Sequence, residues 1–110
     1  MKTIHILSES AAVGARLRDI LYQDGFPEIR LSDLSALPRE QEDSFLIIYA
    51  KTHVSDLMQT LADCGCPVLL LVNPDWYARC LDPARHLGIT LLLMPVAPFV
   101  LLDAVRQVIS

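Results

Sequence analysis

The sequence is poor in the features that mark several functional classes. It has no excess of basic residues: nine Lys and Arg stand against thirteen Asp and Glu, for a formal net charge of −4. Arg16, Arg18, Arg30, Arg39, Arg79, Arg85 and Arg106 are scattered among acids. Nucleic-acid binders present a basic stripe to the phosphate backbone, so direct nucleic-acid binding is not expected. Three cysteines, Cys64, Cys66 and Cys80, are too few and odd in number for a disulfide framework. The one apolar stretch near the start, Ile4–Leu7, is too short for a signal peptide, and Pro67–Val72 has the length of a strand. No membrane span is expected, and the expected compartment is the reducing cytoplasm.

There are also no internal repeats and no low-complexity segment. At 110 residues the chain suffices for one domain, expected over its whole length, and 53% hydrophobic residues suffice to build its core. That share leaves apolar side chains over for a partner surface.

What recurs is a short apolar run followed by a longer amphipathic one. Ile4–Leu7 precedes a helical pattern of Val13, Leu17, Ile20 and Leu21, with Ser8 or Ser10 as cap, Glu9 in the first turn and Gly25 as terminator. Glu28–Leu31 is a weak strand, and Ser32–Leu37 has room for a helical turn or two before Pro38. Phe45–Tyr49 and Val68–Val72 are continuous apolar runs, as strands buried on both faces require. Thr52–Asp63 reads as a helix with Val54, Leu57, Met58 and Leu61 on one side. Trp76–Leu87 is helical in pattern, and Asp82-Pro83 predicts a restart within it. Thr90–Met94 is the last strand, and a helix opened by Ala97 or Pro98 runs to about Ile109. Five such units predict a parallel sheet covered on both faces, with right-handed crossovers. Ligands of doubly wound folds sit at the carboxyl ends of the strands.

Those ends carry Ser8-Glu9, Tyr49-Ala50-Lys51, Val72-Asn73 and Met94-Pro95. Ile4-His5-Ile6-Leu7-Ser8-Glu9 through Gly25-Phe26, and Met94-Pro95-Val96 followed by Leu101 and Val105, resemble the receiver domains of two-component response regulators. The resemblance spans essentially the whole chain and rests on order and spacing. It implies a three-layer, doubly wound α/β fold with a five-stranded parallel sheet in the flavodoxin-like order 2-1-3-4-5. It also implies a cis bond before Pro95.

The chemistry of such a receiver is not implied, because its residues are replaced. The acidic pair is Ser8-Glu9, and the phosphoacceptor position falls on Tyr49, or on Ile48 if the register slips by one. The hydroxyl position is Val72 with Asn73 beside it, the lysine position is Met94, and the aromatic switch position is Leu91. An acyl phosphate needs a carboxylate nucleophile, and a divalent metal needs several oxygen ligands. Neither Tyr49 nor Glu9 alone supplies these, so no catalysis, metal or cofactor is expected.

Other residues have a functional and a plainer reading. Tyr49 either closes the vacated pocket, bonds a ligand through its hydroxyl, or fills space. Lys51 is a substitute lysine or a solvated one. Cys64-Gly65-Cys66 lacks metal-finger spacing and reads as core packing. His5 reads as a neutral strand histidine, with His53 and His86 at helix ends on the surface. One of Trp76 and Tyr77 packs into the core and the other is a candidate anchor. In the last helix Leu101, Ala104, Val105 and Val108 form a core stripe, while Phe99, Leu102 and Ile109, with Arg106 among them, form a second. That stripe is either an interface or a wide core face.

The sequence therefore predicts a binding module that acts without phosphorylation, as a homodimer or on a signalling partner or output domain. A different reading is a small-molecule sensor using a pocket bounded by Ser8, Glu9, Tyr49, Asn73 and Met94. An enzyme is not expected, since no nucleophile–base pair or glycine-rich phosphate loop is present. The chain also reads as the amino-terminal part of a longer regulator.

Overall fold

A computed structural model describes residues 3–26, 29–34, 44–63 and 65–109. In chain order the elements are β1 (Thr3–Ser8), α1 (Ala11–Gln23), β2 (Ile29–Ser32), β3 (Ser44–Ala50), α2 (Val54–Ala62), β4 (Val68–Val72), α3 (Pro74–Leu87), β5 (Thr90–Leu93) and α4 (Pro98–Ile109). The strands form one parallel sheet in the order β2-β1-β3-β4-β5, the doubly wound arrangement the sequence predicts. No helix among the described residues is long and apolar enough to cross a membrane. The helical turn predicted within Ser32–Leu37 lies largely outside the described residues.

Alternation along the strands makes two cores. Ile4, Ile6, Phe45, Ile47, Tyr49, Leu69 and Leu71 face one side, under Leu17 and Leu21 of α1 and Leu101 and Val105 of α4. Leu7, Leu46, Ile48, Ala50, Val68, Leu70 and Val72 face the other, under Val54, Met58 and Leu61 of α2 and Cys80 and Ala84 of α3. Every residue of β3 and β4 is buried, whereas the edge strands β2 and β5 are largely half-buried or exposed.

Local chemistry fixes the ends of α1. The Ser10 hydroxyl accepts a hydrogen bond from the Val13 amide (3.3 Å), which satisfies one orphan donor of the first turn. At the other end the Gly25 amide donates to Tyr22 and the Phe26 amide to Leu21, with Gly25 at φ 94°, a left-handed value that glycine adopts without a Cβ penalty. Gly14 allows α1 to lie close on the sheet. A Cβ there would meet the Leu31 side chain at 2.8 Å and the Ser8 Cβ at 3.1 Å.

Five expectations shift, two of them helix starts: α2 begins at Val54 where Thr52 was expected, and α3 at Pro74 where Trp76 was. The predicted second strand is displaced by one residue, to Ile29–Ser32. Glu9 does not stand in the first turn of α1, which holds no acid; it precedes the cap residue Ser10. The restart predicted at Asp82-Pro83 does not occur, since α3 runs through Pro83. Pro83 is exposed, so the Arg79 carbonyl that it leaves without an amide lies towards water. The bond between Met94 and Pro95 is cis.

Leu101 is fully buried, and its truncation to Ala is expected to cost about 3 kcal/mol in urea unfolding. Tyr22→Ala, at a side chain 66% exposed, is expected to stay within about 0.5 kcal/mol of the parent.

Candidate functional site at the carboxyl ends of the strands

The parallel sheet brings the ends of β1, β3, β4 and β5 to one edge, where the polar groups mostly bond to one another. Ser8, almost fully buried, donates its hydroxyl to the Ser10 carbonyl (2.6 Å) and accepts from the Ser10 amide (3.1 Å). The Glu9 amide donates to the Tyr49 carbonyl (3.1 Å). Its carboxylate accepts from the Thr52 amide (3.4 Å) and hydroxyl (3.3 Å), tying the β1–α1 turn to the β3–α2 loop. Glu9 is therefore a strap.

Tyr49 is buried, and its hydroxyl donates to the Asn73 side-chain carbonyl (3.2 Å). This contact spans the ends of β3 and β4. Asn73 stands at the N-cap position of α3 without capping it through its side chain. Val72 is fully buried, and its carbonyl accepts from the Met94 amide (2.8 Å). Trp76 and Tyr77 both pack partly buried against the α2–α3 core, so neither stands out as an anchor. The Trp76 indole donates to the Lys51 carbonyl (2.8 Å), and the Arg79 guanidinium lies 4.2 Å above the Trp76 ring. His53, exposed, adopts φ 53° between Lys51-Thr52 and α2.

The pocket expected between Ser8, Glu9, Tyr49, Asn73 and Met94 is divided. Ser8 and Glu9 line a cleft of about 320 Å³ with Ser10, Ala11, Leu31, Ser32 and Asp33, at the ends of β1 and β2. Met94 lines a separate groove of about 140 Å³ with Val13, Arg16, Leu17, Ile20, Pro95 and Val96. Tyr49 and Asn73 line neither cavity. Ser32 and Asp33 were not singled out by sequence, because only the parallel register of β2 on β1 places them beside Ser8.

The second stripe of α4 serves in part as packing. Leu102 packs against the α1–α4 core, and Arg106 forms an ion pair with Asp24 at the end of α1. Phe99 remains 74% exposed. The Ile109 side chain lies outside the described residues, as does Cys64. Among the described residues no group of three or more His, Cys, Asp or Glu is placed to hold a metal ion. Comparison of the chain with family models, with curated proteins and with solved structures yields no match.

Cys80 is buried, and burial pushes its thiol above the ordinary 9.0, with the nearby Arg79 guanidinium pulling the other way. The raised folded pKa means that the stability tied to the neutral thiol is complete below the unfolded value and is lost as pH rises through the folded one. Stability measured in urea is thus expected to fall as pH is raised past about 9, and Cys80→Ala is expected to flatten that fall. Tyr49→Phe deletes one hydrogen bond and is expected to cost about 1 kcal/mol in the same assay at neutral pH.

Proposed function

We propose that the domain is a receiver-like regulatory module that works by protein–protein interaction and does not pass through a phosphorylated state. The observation that carries this reading is the bond from the Tyr49 hydroxyl to Asn73. At the strand end where the resembled family holds its phosphoacceptor, this chain has a buried phenol engaged with its neighbour. The one acid nearby, Glu9, is held by Thr52. Apart from this self-contained site, Leu81, Leu93, Phe99 and Val100 are between 36% and 74% exposed. Exposed apolar side chains stabilise a complex once they are buried in it, at about 25 cal/mol per Å² before the costs of association. Binding is therefore assigned to the surface and stability to the strand ends.

The cleft at Ser8, Ser32 and Asp33 favours a second reading, a sensor of a small polar molecule. Its hydroxyls and carboxylates would recognise a polyol or an amine. A thermal-shift screen with such compounds at millimolar concentration tests it, and no shift with any of them counts against it.

The main reading is tested by incubating the purified chain with acetyl phosphate and Mg²⁺ and recording its intact mass. The expected result is an unchanged mass and an unchanged elution profile. A stoichiometric phosphoryl adduct would overturn the claim that the module acts without phosphorylation.

A further inference from the structure

We infer that the cleft between the ends of β1 and β2 binds a ribonucleoside, taking its vicinal diol on Asp33 and rejecting its phosphorylated forms. The inference rests on the sensor reading of that cleft above and names its ligand.

The first observation is how α1 lies on the sheet. In dinucleotide-binding folds the turn after the first strand carries glycines in the spacing G-x-G-x-x-G. The first makes the turn, the second lets the backbone approach a pyrophosphate, and the third lets the helix pack closely on the strands. In this chain those positions are Glu9, Ala11 and Gly14. Only the third is kept, and its role is visible. A Cβ on Gly14 would stand 2.8 Å from the Leu31 side chain of β2 and 3.1 Å from the Ser8 Cβ of β1. The start of α1 is thereby seated between the first two strands, and Ala11 lines the cleft together with residues of both.

The second is the acid at the end of β2. β1 and β2 run parallel with Leu7 against Ser32, so Ser8 and Asp33 leave the sheet side by side. Asp33 directly follows β2 and stands about twenty residues beyond Gly14. An acid in that place accepts from the ribose hydroxyls in dinucleotide-binding folds. A carboxylate offers about four lone-pair sites, so Asp33 can take a diol alongside a bond made within the protein. The Ser8 hydroxyl is already committed to Ser10. Recognition therefore falls on Asp33 and on the hydroxyls of Ser10 and Ser32 in the same cleft.

Size and charge narrow the ligand further. At about 320 Å³ the cleft stands at the low end of small-molecule sites, which begin at about 300 Å³, so it suits one nucleoside and not a dinucleotide. Ala11 and Leu31, the latter 37% exposed, offer an apolar wall to the base. Among the described residues that line the cleft none is a Lys, Arg or His, so no side chain there neutralises a phosphate. Glu9 sets a full negative charge on the turn where a phosphate would lie. The start of α1 opposes it with only about half a positive charge, so the repulsion prevails.

The test is titration of the isotope-labelled chain with adenosine, followed through its amide chemical shifts, which report both the site and the dissociation constant. Saturable shifts are expected at Ala11, Ser32 and Asp33. Deoxyadenosine, which lacks one hydroxyl of the diol, is expected to bind about tenfold more weakly, as loss of a bond to a charged acceptor implies. Adenosine monophosphate is expected to bind more weakly than adenosine, and Glu9→Gln, which keeps an oxygen for Thr52, to narrow that gap. Asp33→Asn, at an exposed position, is expected to weaken adenosine about tenfold and to remove the preference over deoxyadenosine, with circular dichroism confirming the fold. Equal binding of adenosine and deoxyadenosine overturns the inference, as does undiminished binding to Asp33→Asn or tighter binding of the monophosphate. If adenosine moves no amide while glycerol or putrescine moves those of the cleft, the nucleoside is wrong and the sensor reading stands. If none of these compounds binds, both fall.

Discussion

The rest of the structure depends on a single constraint: β3 and β4 are buried on both faces. Each strand residue then carries its backbone donor and acceptor into an apolar interior, where an unpaired group costs several times what a paired one returns. The strands must lie between others, and helices must cover both faces. With parallel neighbours, every crossover returns along the outside of the sheet, and all the carboxyl ends gather on one rim. The placement of Ser8, Glu9, Tyr49, Asn73 and Met94 on that rim follows from this burial.

That constraint was written plainly in the sequence, because a fully buried strand needs an unbroken apolar run. Phe45–Tyr49 and Val68–Val72 could be placed to within a residue, and α2 and α3, which have clear stripes, to within two. The weaker elements were legible to the degree that they are amphipathic. Ile29–Ser32 has only an edge to fill, and its bounds moved by one residue. Pro83 misled, since local propensity argues for a break, while Cys80 and Ala84 on either side are held in the core and keep one helix. Tertiary packing outweighed the cost of one solvent-facing carbonyl.

The site was less legible than the fold. Sequence located the rim but not the pairing across it. That Tyr49 turns to Asn73 and Glu9 to Thr52 depends on loop paths, and no spacing rule fixes those. The cleft beside Ser32 and Asp33 was missed because it arises from the register of a strand whose sequence signal is faint. The second stripe of α4 could not be resolved from periodicity, which counts faces but does not name their neighbours. One flank meets α1 through Leu102 and Arg106, and only contact information distinguishes that from an open surface.

The strand order also shapes how the chain comes together. β1 sits beside β3, with Thr3 against Ser44, so its inner partner arrives only after the intervening segment has been looped out. Closing that loop costs entropy before any contact rewards it. β3, α2 and β4 form a nearer unit, in which Leu46 meets Val68 across a single helix. The cheapest route therefore assembles the two neighbouring crossovers β3–α2–β4 and β4–α3–β5 first and adds β1 as a later closure. The most buried part of the molecule thus belongs to the run of strands with the shortest distances to travel.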